Sequence, residues 1–162
     1  MRSSDVWISP QVVAQLLAAA RTTERAEPCG LLLGYHVPRG AEVLQLMPLK
    51  NAHPSPERGF QLTPESILAG GRTAREQGHD VVGYWHVHLD GPAWPGMFDE
   101  EGMRAAHAEG VGPYVHVVVG KGTTGRHVVR AFRLGRSRAK QIPIHALKKA
   151  RGSQRATAAS LL

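Results

Sequence analysis

Apolar residues recur along this chain at two different periods, and the switches between them divide it into elements. Val12, Val13, Leu16 and Leu17 fall at helical spacing within QVVAQLLAAARTT. Ser9 and Pro10 stand just before them as an N-cap and first helical residue, so a first helix is predicted to about Thr22. CGLLLGYHV is a short apolar run between Pro28 and Pro38, and AEVLQLMPL follows after Arg39 and Gly40. The pair reads as consecutive strands. NAHPSPERG is then a loop, FQLT a short strand, and PESILAGGRTAREQG a helix opened by Pro64 and weakened by the Gly70–Gly71 pair. DVVGYWHVH has the β-branched and aromatic content of a buried strand. LDGPAWPG loops into a third helix from Met97 through Ala108, and YVHVVVG and RHVVRAFRL form a hairpin across KGTTG. The order α-β-β-α-β-α-β-β predicts an α/β fold of the α+β type, a mixed sheet sandwiched by helices with no internal repeat.

Composition narrows the class. A chain of 162 residues that is 42% hydrophobic buries one core, not two. We expect a domain over residues 1–135 and a basic C-terminal tail over 136–162. No apolar run approaches the roughly 18 residues of a membrane span, and MRSSDVWISP lacks the order of a signal peptide, so a cytoplasmic protein without membrane contact is expected. The single cysteine, Cys29, excludes an internal disulfide and a cysteine-built zinc site. Any metal must then be held by His and carboxylate. Twenty Lys and Arg against thirteen Asp and Glu give a net charge of +7. Arg136, Arg138, Lys140, Lys148, Lys149, Arg151 and Arg155 carry that excess with no acidic residue among them. Such a tail is either an electrostatic arm for an acidic partner or nucleic acid, or a solvated terminus. The second reading is favoured, because no aromatic residue is interleaved to stack on bases.

The chemistry concentrates in His86, His88 and Asp99. Residues two apart on a strand share a face, so WHVH presents both imidazoles side by side while Val87 points into the opposite layer. Asp99 lies eleven residues beyond His88, in the first turn of the third predicted helix, from where its carboxylate can swing back. Three such ligands leave one zinc position open, as in catalytic sites. Iron, manganese or cobalt also suit this donor set. An HxH pair alone is a weak signal, which Glu27 at the head of EPCGLLLG strengthens. Hydrolysis of an amide needs a base that takes a proton from water and passes it to the leaving amine, and Glu27 can do both.

In these residues the chain resembles the JAMM metallopeptidases, the catalytic MPN-domain family. Their signature is a Glu before an apolar strand, then HxH, seven residues, Ser, two residues and Asp. Glu27, His86, His88 and Asp99 fall into that register, with LDGPAWP filling the gap, and the likeness runs over roughly residues 5–134. The resemblance implies a cytidine-deaminase-like fold, one zinc ion held by both His and the Asp, and Glu27 acting on water. It also implies cleavage of peptide or isopeptide bonds, at the Gly-Gly terminus of a ubiquitin-like or β-grasp sulfur-carrier protein. The sequence departs from the pattern at Gly96, where the family has its Ser, and at Val87 and Leu89, where Ser and Pro are usual. The missing hydroxyl leaves a second reading open: a zinc-binding but weakly active or inactive MPN-type interaction module. Of the remaining candidates, Cys29 reads as a buried packing thiol and Trp94 as a wall of the substrate site. His53 reads as a loop residue, and His116 and His127 as partners for backbone or solvent groups.

Overall fold

The computed structural model describes residues 5–22, 25–108 and 115–148. In chain order the elements are β1 (Asp5–Ile8), α1 (Pro10–Thr22), β2 (Cys29–Val37), β3 (Gly40–Leu49), α2 (Pro64–Glu76), β4 (Asp80–Pro92), α3 (Met97–Ala108), β5 (Val115–Lys121), β6 (His127–Leu134), β7 (Ala139–Ile142) and β8 (Ile144–Ala146). All eight strands belong to one mixed sheet ordered β7-β6-β5-β4-β2-β3-β1-β8. The expected mixed sheet flanked by helices is therefore what forms.

The local causes are those of the sequence. Thr63 caps α2, its Oγ1 accepting from the Ser66 N–H at 3.1 Å, and Pro64 follows in the first turn. The β2–β3 hairpin turns tightly at Gly40, whose φ of 142° is a conformation that side chains disfavour. FQLT does not form a strand. Its backbone is held by a side chain instead: the Asn51 Oδ1 accepts from the Gln61 N–H at 3.1 Å.

The sheet has two different faces. On one, α1 lays Val12 and Leu16 against Val6, Ile8, Leu32, Val43, Val82, Trp85, Val87, Val117 and Val119, all essentially buried. On the other, Leu31 and Leu33 meet Ala74 of α2, with Met47, Val81 and Tyr84 packed around them. Burying each of these aliphatic side chains is worth about 1.5–3 kcal/mol, so the α1 layer dominates the stability. Regular pairing of β4 is broken twice, against β2 at Val82 and against β5 between Val87 and Pro92. Leu32 pairs with Gly83 and Leu33 with Val81, leaving Val82 as an extra residue in a bulge.

Three strands were not anticipated. β1 is only four residues long and pairs in parallel with β3, a partner more than thirty positions away. β7 pairs with β6 and β8 with β1, at opposite edges of the sheet. Residues 139–146, expected as part of a tail, thus belong to the sheet, and Ile142 is in its core. The remainder of the expected tail, residues 149–162, lies outside the described residues. A single residue, Pro143, separates β7 from β8, so the outermost strands begin and end within about 7 Å of each other. The sheet must therefore curl around α1 until its edges adjoin, and the Val6 N–H donates to the Pro143 carbonyl at 3.2 Å. The same segment steadies α3. Arg104 donates to the Ser137 carbonyl at 2.9 Å, and Glu100 accepts from the Ala139 N–H at 3.2 Å. Among the described residues no helix is long and apolar enough to cross a membrane.

Leu16 is fully buried in the α1 layer, while Leu68 on α2 is 64% exposed. Leu16→Ala should cost about 2–5 kcal/mol in urea unfolding, and Leu68→Ala should stay within roughly 0.5 kcal/mol of the unmutated chain.

Candidate metal centre

Because of the bulge at Val82, Trp85 and Val87 face α1 and the intervening His86 and His88 face the α2 side of the sheet. The first turn of α3 brings Asp99 opposite them. The three side chains converge closely: the two Nε2 atoms are 2.9 Å apart, and Asp99 Oδ2 is 3.3 Å from each. Ligands about 2.0–2.1 Å from a tetrahedral zinc ion stand roughly 3.3 Å apart, so this triangle has the dimensions of one face of such a site. Glu27 is close as well. One atom each from Glu27, His86 and His88 lies within 4.8 Å of the others.

Each member is held from behind. His88 Nδ1 lies 2.8 Å from the Pro92 carbonyl, which can only accept, so that nitrogen carries a proton and Nε2 is left facing the cluster. Asp99 Oδ2 accepts from the Gly96 N–H at 2.7 Å, the return half of a capping box at the start of α3. Glu27 is pinned by its backbone: its N–H donates to Pro56 O at 2.7 Å, and its carbonyl accepts from the Asn51 amide at 3.1 Å. Asn51 also donates to Gly59 O at 2.9 Å and accepts from the His53 N–H at 3.0 Å. One side chain thereby fixes both Glu27 and the loop that follows β3.

The electrostatics follow from burial and crowding. Burial pushes the Glu27 carboxyl up to about 7, with His88 opposing and Asp99 adding to the rise. Its Oε2 is buried and has no hydrogen-bond partner among the described residues. Burial also acts to raise Asp99, but the hydrogen bonds with His86 and His88 outweigh it and hold that carboxyl well below the usual range. Burial lowers His86, whereas in His88 the contacts with Asp99 and Pro92 overcome burial and raise it. The arrangement sets a persistent carboxylate and two imidazoles on one point, with a second, proton-accepting carboxyl beside them.

An open cavity of about 700 Å³ adjoins the cluster. Phe60, Leu62, Ile67, Met97, Phe98 and Met103 give it apolar walls, and Glu27, His88 and Asp99 lie on its lining. Phe98 and Met97 are 79% and 69% exposed, so the first turn of α3 presents a greasy rim. Trp94, expected as a wall, is not on that lining. Its ring packs edge-on against Phe132, with centroids 4.9 Å apart, because the chain at Pro92–Ala93 is pressed onto β5. A Cβ at Gly120 would stand 2.5 Å from Ala93 N, so only glycine permits that approach.

The structure brings together Glu27, His86, His88 and Asp99, as their spacing suggested, and puts Gly96 beside Asp99. Gly96 does not have positive φ, and a Cβ there would meet Asp99 Oδ2 at an ordinary 3.5 Å. His53 lies on the cavity lining and Cys29 is buried. His116 differs from expectation. It lies beside His86 and on the lining of the same cavity, with Nε2 3.0 Å from His86 Nδ1, where burial lowers its pKa to about 3. Phe60 stacks on the His86 ring at 4.4 Å and meets His116 edge-on at 5.8 Å. Neither His116 nor Phe60 has a local signal, since the parallel β4–β5 register that sets Tyr84 against His116 is a long-range event.

Fold and cluster together define an α+β domain with a candidate metal centre of His and carboxylate. Residues 9–135 match the model of the prokaryotic homologs of the JAB domain, and the chain belongs to that family. This agrees with the resemblance to the JAMM metallopeptidases in the sequence. The chain is 30% identical over 102 residues to the desampylase of Pyrococcus furiosus, a match covering 63% of this chain and 69% of that protein. It is 33% identical over 63 residues to a probable TtuB-protein conjugate cleaving protease of Thermus thermophilus, covering 39% of this chain and 43% of that one. The solution structure of a protein from Desulfitobacterium hafniense aligns with a TM-score of 0.74 at 23% identity, over 90% of this chain and 95% of the other, a likeness of fold. One from Salinibacter ruber gives 0.62 at 26% identity, over 88% and 92%.

Burial and the Glu27 charge raise the Cys29 thiol from 9.0 to about 11. At pH 8 its thiolate population is then about a hundredfold below that of the unfolded chain. A thiol reagent should label native Cys29 at least that much more slowly, and labelling at the unfolded rate would contradict its placement.

Proposed function

We propose that the protein is a zinc-dependent hydrolase of peptide or isopeptide bonds, with His86, His88 and Asp99 as ligands and Glu27 as general base. The observation that carries this reading is the triangle of 2.9, 3.3 and 3.3 Å beside a buried carboxyl oxygen with no partner among the described residues. Asp99 is preferred to Glu27 as third ligand because it closes a compact triangular face with both imidazoles and keeps its negative charge. Glu27, whose buried Oε2 has no hydrogen-bond partner among the described residues, is instead suited to take up a proton. A zinc ion bound there supplies positive charge that polarises the scissile carbonyl and acidifies water. Glu27 takes the proton of the attacking water and delivers it to the amine as the C–N bond breaks.

Its substrate on this reading is a conjugate or fusion of a ubiquitin-like or sulfur-carrier protein ending in Gly-Gly. The names of the two relatives, a desampylase and a conjugate cleaving protease, support that class. The apolar rim of α3 supports a protein substrate, since exposed Met97 and Phe98 lose water on contact with a partner surface. Gly96 favours a second reading, a zinc-holding interaction module of low activity, because a hydroxyl donor worth on the order of a hundredfold in rate is absent. Turnover by the unmutated, zinc-loaded protein of a Gly-Gly-linked fusion, abolished by a chelator, decides between them.

Elemental analysis should find about one zinc per chain, largely lost in His88→Ala and in Asp99→Ala. Glu27→Gln should retain zinc while turnover falls by roughly 10²–10⁴. If Glu27→Gln lost the metal and Asp99→Ala kept it, the two carboxylates would exchange roles. Gly96→Ser, for which there is room, should raise kcat by less than about a hundredfold with little change in KM. An unchanged kcat in a folded, zinc-loaded variant would mean that oxyanion support at this position does not limit the rate.

A further inference from the structure

His86 pairs with a second buried imidazole, that of His116, which the chemistry above leaves unused. His86 is fully buried and His116 is 4% exposed, and their facing nitrogens, His86 Nδ1 and His116 Nε2, are 3.0 Å apart. Two neutral rings at that distance share a single proton, which gives two arrangements. In one, His116 Nε2 carries the proton and donates to His86 Nδ1. His86 must then hold its own proton on Nε2, pointing at His88 Nε2 2.9 Å away, and it has no lone pair for a cation. In the other, His86 Nδ1 donates to His116 Nε2. The lone pair of His86 Nε2 then faces His88 Nε2 and Asp99 Oδ2, and His116 keeps its proton on Nδ1.

We propose that His116 is the positioning residue that fixes His86 in its metal-binding tautomer, with Phe60 holding the ring in plane. The inference rests on the reading of His86 as a ligand. Metal-ligating histidines generally donate their second N–H to a carboxylate, a carbonyl or water, as His88 does here to Pro92. His86 Nδ1 has neither a carboxylate nor a carbonyl among its described contacts and faces a second imidazole, an acceptor only when its own proton sits on the far nitrogen. The Phe60 ring, stacked at 4.4 Å and inclined by 20°, blocks rotation of His86 away from this partner. His116 therefore acts on affinity through His86 and does not touch the cation.

The test reads zinc affinity by competition with a chromophoric chelator. His116→Phe keeps the ring and removes the acceptor, and it should weaken zinc binding by about 10–100-fold. His116→Gln offers a carbonyl oxygen to the same N–H and should recover most of that loss. Long-range ¹H–¹⁵N spectra of the unmutated zinc-loaded protein need no variant, and should show His116 protonated at Nδ1 and not at Nε2. Zinc affinity in folded His116→Phe equal to that of the unmutated chain would overturn the inference, as would an Nε2-protonated His116 in the spectra. Failure of the unmutated protein to take up zinc would instead remove the ligand assignment, and this inference with it.

Discussion

The phase of β4 is the constraint on which both the core and the cluster depend. With a period of two, a strand has only one choice of which residues face which layer, and that choice is made at Val82. The extra residue there lets Val82 serve the α1 layer and then resets the alternation, so that Trp85 and Val87 serve the same layer further along. Were the bulge absent, the strand beyond it would invert. Two imidazoles would enter an aliphatic core, and an indole would stand where the cation is proposed to bind. Burial of Trp85 and Val87 therefore anchors the orientation of His86 and His88 as firmly as it stabilises the domain.

At the cluster itself, the fold assembles groups that do not favour one another's company. Two imidazole nitrogens at 2.9 Å, an anionic Asp99 and a buried Glu27 carboxyl crowd one point. The backbone offers compensation from outside: the Gly96 N–H and the start of α3 favour negative charge on Asp99. Inside, burial first and the Asp99 charge after it make Glu27 hold its proton more tightly. A divalent cation at the centre would relieve the crowding of lone pairs and negative charge at once. On the proposed reading, affinity for a cation comes from these repulsions as much as from the three proposed ligands.

Local pattern revealed α1, α2, α3 and the strands β2 to β6 with nearly their observed limits, because each has its own periodicity or capping residues. It also singled out Glu27, His86, His88 and Asp99 as candidates, through HxH on a strand, a carboxylate in a first helical turn and the likeness to the JAMM signature, and the structure brings the four together. What escaped was decided by pairing across the sheet. β1 is too short to announce itself before β3 lies beside it. The charged residues around β7 read as tail because an edge strand needs few apolar side chains. His116 and Phe60 look ordinary until the parallel β4–β5 register and the loop fixed by Asn51 set them against His86. Trp94 was misplaced for a related reason, as the glycine that draws its loop onto β5 lies 26 residues further along the chain.

The join at Pro143 gives the C-terminal segment a role that its composition hides. β7 and β8 cover β6 and β1 at the two edges of the curled sheet with one stretch of chain, and the positive side chains of Arg136, Arg138 and Lys140 border that seam. Charge at an edge discourages strand addition by other molecules. A chain severed after Gly135 would lose more than a tail. Two raw edges, β6 and β1, would open together on the same molecule, and the backbone anchors of Glu100 and Arg104 would go with them. Such a fragment exposes unpaired N–H and C=O groups along both of its edges, each a template for pairing with another copy.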